Sequence, residues 1–432
     1  MTTVGLGAGP IEARTNQAHL LEARPDELAP GNERRRPRPL DPWGPRTAVA
    51  AVVLLGLNTA LPLGASLGLL VVLALAPVWL GALKGFTGAR PVLVLALLAL
   101  DNGVLLSWSA ATTRDVVAGQ GIRDALLFVT AFGGVGVLLW ARTQLPTSTV
   151  APLYALGALA TAAQAAAGSP NAWKFQLALP VTILVLAVVS RLRSSAATVT
   201  ALAVLALVGI TNQYRSYLAF CLLAAGLGLY SARRARPDRR VSRLRVLALL
   251  ATLLVAGYYA ATAALVNGYA GPELQDRSIV EIDRSGSLLT GGRPEWTATV
   301  RLMREQPGGF GLGAVPLPSE VRTAKQGLAD NGLPPDPARD RFMFGGHFKL
   351  HSVVADLWAG YGIAGLLLGA LCAVLLLSAL ASALSARRAD ALASFLVVTA
   401  LWDLGFGPIY TNLPDVAFAL GIVLIPRRRP VS

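Results

Sequence analysis

Apolar stretches long enough to cross a bilayer follow one another along most of this chain, with little between them. No other property narrows its fold as sharply. A bilayer core takes roughly 17 to 25 residues of apolar helix, and a backbone in lipid must satisfy its own hydrogen bonds, which a helix does internally. Twelve segments are read as spans: 47–62, 64–83, 91–108, 122–140, 150–167, 176–190, 195–210, 214–231, 246–266, 352–385, 390–407 and 412–426. The expected fold class is all-α, a polytopic membrane protein of about 12 transmembrane helices. Composition agrees, because charged residues are 14% of the 432, against roughly 25% in soluble domains. The only cysteines, Cys221 and Cys372, each lie inside an apolar run, which excludes a disulfide-stapled secreted fold.

Five regions follow. Residues 1–46 mix seven basic and six acidic residues with many prolines, a composition that cannot bury enough apolar area to fold, so a disordered cytosolic tail is expected. It has no basic start and early apolar core, so the first span itself is expected to act as the insertion signal. Residues 47–267 hold nine spans, 268–350 form one large polar loop, 351–426 hold three spans, and 427–432 form a second cytosolic tail. Basic residues set the orientation. Lys84 and Arg90, Arg142, Arg191 and Arg193, the run Arg233 to Arg245, Arg387 and Arg388, and Arg427 to Arg429 all fall on one side if both termini are cytosolic. The net charge of +14 therefore reports insertion direction into the cytoplasmic membrane and not nucleic-acid binding. The 268–350 loop, with ten acidic and ten basic residues, falls on the outer face, and short motifs within it favour function and short helices.

Three constellations could carry chemistry there. Arg215, in TNQYRSYLAF, stands at the outer end of a hairpin between two spans. It serves equally as a headgroup-facing cation or as a paired donor to phosphate. In TGGRPEWTATVRLMREQPGGFGLG, residues 290–313, Pro294, Glu295 and the spacing of Trp296, Val300 and Met303 predict a short amphipathic helix starting at Arg293 and ended by Pro307. A guanidinium beside the free N–H groups of a helix start makes an anion site; an ion pair between Arg293 and a loop acid fits the spacing equally well. Gly309, Gly311 and Gly313 then allow close backbone approach. The third stretch, GGHFKLHSVVADLWAGYGIAGLLL, carries His347 and His351 at i and i+4. It lacks the Glu of a zinc-protease motif, so no metal is expected, whereas one His at a membrane–water junction suits a general base or merely caps the span. Lys174, Asp101, Trp296 and Arg301 are further candidate substrate contacts. Asp101 qualifies as a carboxylate inside a span, although a partner such as Asn102 would account for it as well.

Two cations and a base on one face suffice for a glycan transfer in which the leaving group is already an anion, so that no protein acid is required. Four stretches also resemble the O-antigen ligase family and the related polymerases of polyprenyl-linked repeat units: SPNAWKFQLALP, TNQYRSYLAF, RPEWTATVRLMREQPGGFGLG and HSVVADLWAGYGIAGLLL, together spanning roughly residues 165–385. The family usually has Ser before the hairpin Arg and often Gly after it, where this chain has Tyr214 and Ser216. The resemblance implies that Arg215 and Arg293 hold a lipid pyrophosphate and that His351 activates the acceptor, with His347 as a second candidate base. The expected function is a metal-independent, inverting glycosyltransferase without cofactor. It would move a glycan from a polyprenyl pyrophosphate donor to a sugar, glycolipid or polymer acceptor at the outer face of the membrane. The rival expectation is a 12-span transporter or flippase of an anionic or lipid-linked substrate, although no repeat of one half in the other is visible.

Overall fold

The computed structural model describes residues 43–57, 59–232, 242–269 and 271–427, and among these it is all-helical, with three isolated β-bridges and no strand. Ten helices precede the polar segment: α1 (Trp43–Leu57), α2 (Leu67–Ala74), α3 (Ala76–Ala82), α4 (Ala89–Ala110), α5 (Ala118–Gln144), α6 (Thr147–Ala166), α7 (Ala178–Ser190), α8 (Ser195–Thr211), α9 (Arg215–Ala232) and α10 (Arg243–Val266). Five short ones lie within it: α11 (Pro272–Ser285), α12 (Leu288–Gly292), α13 (Glu295–Glu305), α14 (Pro318–Asp330) and α15 (Pro337–Phe344). Three close the chain: α16 (Val353–Ser385), α17 (Ala391–Phe406) and α18 (Ile409–Val423). The first helix begins at Trp43, so the last residues of the expected tail are helical, while its residues 1–42 lie outside the described residues. Most of the basic run between Arg233 and Arg245 also lies outside them.

Among the described residues, seven helices are long and apolar enough to cross a membrane: α4, α5, α6, α7 with the π turn before it, α9, α10 and α16. α2 and α3 make an eighth if counted as one span bent by 71°. Pro77 stands in the first turn of α3, where its missing N–H and ring end α2. α1, α8, α17 and α18 are apolar but shorter. On α4, Val94, Leu97, Leu98, Val104 and Leu105 are each more than half exposed, an apolar surface that water would penalise and acyl chains do not. Small residues let the helices approach closely, as they must where lipid removes the hydrophobic drive between them. A Cβ on Gly56 of α1 would lie 2.1 Å from the Tyr154 carbonyl oxygen, and one on Gly157 of α6 would lie 2.2 Å from that of Val53. The chain is a membrane protein.

The polar segment is built into one end of this bundle. Its own core joins Ala298 and Leu302 of α13, Ala324 and Leu328 of α14, Met343 and Phe344 of α15 and Phe310, and runs on into Trp358 at the start of α16. Arg114, in the α4–α5 turn, donates to both carboxylate oxygens of Glu320 at 2.8 and 2.7 Å, with both side chains largely buried. The Val117 N–H donates to the Gly313 carbonyl beside it at 2.9 Å.

The expected single span at 352–385 is interrupted. Gly362 has φ 65° and ψ −152° inside α16, a region open essentially to glycine alone. The Gly308–Gly313 turn fills the break. Phe310 and Gly311 N–H groups donate to the Ala359 carbonyl at 2.8 and 3.0 Å, and the Asn102 amide donates to the Tyr361 carbonyl at 2.8 Å. The close approach expected of the glycines is realised here: a Cβ would lie 2.4 Å from the Trp358 oxygen at Gly309, 2.5 Å from the Ser107 nitrogen at Gly311 and 2.5 Å from the Val117 oxygen at Gly313. The turn is thereby wedged among α4, α5 and α16.

Candidate functional site

The hairpin between α8 and α9 shows how Arg215 is placed. α8 ends in a Schellman arrangement, with the Tyr214 N–H donating to the Gly209 carbonyl at 2.8 Å and the Gln213 N–H to that of Ile210 at 2.9 Å. Gln213 takes the left-handed position that glycine usually fills, at φ 55°. Arg215 is thus the exposed first residue of α9, where the helix N-terminus adds to its own positive potential. The turn before α7 is tied to the same hairpin: the Asn171 amide donates to the Asn212 carbonyl at 2.6 Å, and its oxygen accepts from the Lys174 N–H at 2.9 Å. Lys174 lies in the π turn Trp173–Leu177, its Nζ 6.0 Å from the centre of the Tyr214 ring.

Arg293 sits between α12 and α13 rather than at the first residue of α13, which starts two positions later, at Glu295. Its guanidinium carbon lies 5.6 Å from the centre of the Trp402 ring and 5.9 Å from that of Phe406, on α17. The ion pairs among the described residues are Arg114–Glu320, Arg277–Glu281, Arg301–Asp330 and Lys325–Asp340, so Arg293 is not held by a loop acid. Trp296 explains the docking, since its indole N–H donates to the Gly405 carbonyl at 2.7 Å and clamps the start of α13 to the end of α17. Asp403, on α17, is 3% exposed. Asn412 is its hydrogen-bond partner and Arg293 the cation whose charge reaches it, while Oδ2 is buried without a partner among the described residues.

His351 has φ 57°, an uncommon conformation for a non-glycine residue and one that surrounding structure must impose. The buried Asp356 does this. Its Oδ1 accepts from the Leu350 N–H at 2.6 Å and its Oδ2 from the Ile409 N–H at 3.1 Å, while the Ser352 hydroxyl accepts from the Ala355 N–H and donates to the Leu404 carbonyl. Burial pushes the His351 imidazole below its ordinary value of 6.5; the Glu295 carboxylate works against this, and the Arg293 and Lys174 cations add to it. At neutral pH the ring is therefore uncharged.

One cluster results. Glu295, Arg293 and Lys174 lie close enough for their charges to act on His351. Lys174 in turn lies within the fields of Arg293, Arg215 and Arg277, and Arg215 faces Arg277, Glu281 and Glu273 of α11. Lys174 is thus the group that feels both Arg215 and Arg293.

The other candidates lie elsewhere. Arg301 is exposed and paired with Asp330. Asp101 is exposed on α4, and its neighbour Asn102 is engaged by Tyr361. His347 faces a different cleft, where burial, Lys349 and Arg123 push it down to about 4. Among the described residues no three His, Cys, Asp or Glu side chains gather as a metal site would need. The sequence reading took Glu295 only as a sign of a helix start and passed over Asp356 and Asp403. The signal for the latter two was the same as for Asp101, a carboxylate inside an apolar run. A scan of protein-family models, a search of characterised proteins and a search of solved structures each give no match for this chain.

Proposed function

We propose that the protein is an inverting glycosyltransferase of the outer face of the cytoplasmic membrane, moving a glycan from a polyprenyl pyrophosphate to an acceptor hydroxyl on a sugar, glycolipid or polymer. In this reading the chain crosses the membrane twelve times, with both termini cytosolic and residues 268–350 outside. The observation that carries it is that His351 lies within the fields of Arg293 and Lys174 at one end of the bundle, which together with burial favour its neutral form. A phosphate binder alone would need only the cations. A base among them needs a proton to take.

The steps follow from the groups present. Arg293, resting on Trp402 and Phe406 with no carboxylate paired to it among the described residues, offers its planar donor edge to the pyrophosphate. Lys174 and Arg215 extend the positive surface. The acceptor oxygen attacks the anomeric carbon, its proton passes to the His351 imidazole, and the bond to the pyrophosphate breaks with its electrons leaving on an oxygen that the cations stabilise. Glu295 stabilises the imidazolium that forms. The leaving group departs as an anion, so the mechanism calls on no metal and no protein acid. The resemblance of the four motif stretches to O-antigen ligases and polymerases points to the same assignment.

A transporter or flippase would draw on the broken α16, since discontinuous helices often bind ions at their freed carbonyls. Here the Ala359 and Tyr361 carbonyls are already taken by Phe310, Gly311 and Asn102, which favours the enzyme. The test is transfer by purified protein in nanodiscs, with a polyprenyl pyrophosphate glycan, an acceptor and a chelator. His351→Ala is expected to lose roughly 10²–10⁴-fold in rate, the usual worth of a general base, and Arg293→Lys to be strongly impaired, because an ammonium keeps the charge and loses the fork. Full activity of His351→Ala would remove the base assignment, and movement of intact lipid-linked glycan across vesicles without transfer would favour the flippase.

A further inference from the structure

One aromatic ring of the polar segment is left outside its core, beside the proposed base. Residues 271–350 hold five aromatic side chains. Trp296, Phe310, Phe344 and Phe348 are buried or half-buried, whereas Phe342 is 44% exposed. The local fold explains why it stands where it does. α15 turns Met343 and Phe344 into the core, and the chain then folds back along it. The Gly346 N–H donates to the Phe344 carbonyl and the Lys349 N–H to that of Met343, each at 2.9 Å. In the returning stretch Phe348 and Leu350 are buried, and Lys349 and His351 are not, the period-two pattern of an extended chain. Three groups are thereby brought together at the surface. The His351 ring centre lies 5.5 Å from that of Phe342, the planes tilted by 57°. Lys349 Nζ lies 5.7 Å from the Phe342 ring centre and enters none of the ion pairs among the described residues. The mechanism above uses His351 and gives Phe342 and Lys349 no task.

Electrostatics select what such a ring would hold. The face of an aromatic ring carries partial negative charge. It repels a pyrophosphate, which the cations attract, and meets the polarised C–H groups on the face of a sugar. A hydrocarbon chain would have to desolvate the ammonium and the imidazole that flank the ring, whereas a sugar offers both of them hydroxyls. A sugar stacked on an open ring also needs no enclosing cavity, since its outer face stays in water. From this juxtaposition of an exposed aromatic ring, a lysine and the proposed base, we infer that Phe342 is the platform on which the acceptor sugar stacks. The inference rests on the transferase reading. The C–H face of the sugar packs on Phe342, Lys349 donates to its oxygens, and a hydroxyl at its edge points to His351. Phe342 is then a binding residue, and its contribution is to acceptor affinity.

Two measurements on the full chain in nanodiscs test this. One is saturation-transfer NMR of methyl hexosides with no donor present; the other is transfer kinetics with a polyprenyl pyrophosphate glycan and the same hexosides as acceptors. Wild-type protein is expected to bind at least one hexoside. Phe342→Leu stays apolar and loses the flat ring. It is expected to weaken hexoside binding and raise the acceptor KM by roughly fivefold to tenfold, the scale of an aromatic stacking contact, with kcat and the donor KM near wild type. Phe342→Tyr keeps the ring face and should keep both affinities. Melting temperatures establish that the two variants fold. Hexoside binding by no wild-type sample, or a Leu variant equal to wild type in binding and acceptor KM, overturns the inference. So does a Tyr variant as weak as the Leu one. A fall in kcat with the acceptor KM unchanged also overturns it, because Phe342 would then only support His351. Ring-dependent hexoside binding in a protein that transfers nothing would keep the platform and discard the transferase. Transfer with an acceptor KM indifferent to the Leu substitution would do the reverse.

Discussion

At the scale of single residues the chemistry turns on His351 and the carboxylate beside it. A base acts in its neutral form, and burial with two cations holds the His351 value below 6.5. Activity is therefore expected to be flat near neutral pH and to fall only as pH drops through that lowered value. Glu295 is the one charge that raises it. Glu295→Gln removes an interaction that favours the imidazolium, so the acid limb of kcat/KM should move to lower pH; a limb that stays in place or moves up would take Glu295 out of the site. The type of residue was legible in the sequence, because an Arg or His on the side where basic residues are scarce calls for a reason. The role of Glu295 was not. A Glu in the first turn of a helix is ordinary, and only the approach of His351, 56 positions along the chain, makes it functional.

At the scale of elements the break in α16 decides the geometry. As an unbroken helix of 33 residues α16 would run to about 50 Å; the break instead separates a short N-terminal piece, which lines the cleft beside His347, from the long apolar part. Gly362→Ala is expected to cost about 1–3 kcal/mol from backbone strain alone, and its Cβ would also lie 2.4 Å from the Asn102 amide and 2.6 Å from the Gly308 oxygen. Gly360→Ala is the control, because the Leu312 side chain, at 3.6 Å, is all its Cβ would meet. It should be neutral or slightly stabilising. Thermal unfolding in detergent separates the two, and equal melting temperatures would show that the break is not required. Sequence reading predicted one span from 352 to 385, since a glycine in a long apolar run reads as helix. It did anticipate that Gly309, Gly311 and Gly313 bring backbones together, because three glycines at alternate positions have few other uses; that the backbones belong to α4, α5 and α16 depends on contacts 48 or more positions away.

At the scale of the whole molecule the open quantity is topology. Cys221 and Cys372 are each 1% exposed, so a cysteine added at the surface reports its own side of the membrane. Ser319→Cys, exposed on α14, is expected to react with an impermeant maleimide on intact cells, and Arg191→Cys, exposed after α7, only once the membrane is opened. The reverse pattern would invert the orientation and place the proposed site in the cytosol. The sequence by itself determined that the chain is a helical membrane protein and which of its residue types could do phosphate and proton chemistry. Those properties are local: apolar length, charge sign and side-chain identity are carried by each segment alone. Tertiary structure alone decided which of them meet. Asp101 and Asp403 both lie in apolar runs, yet one is exposed on α4 and the other is buried on α17, within the field of Arg293. His347 and His351 are four residues apart and face different clefts. Burial and charge environment are set by distant segments folded against a residue, and no pattern within a segment carries them.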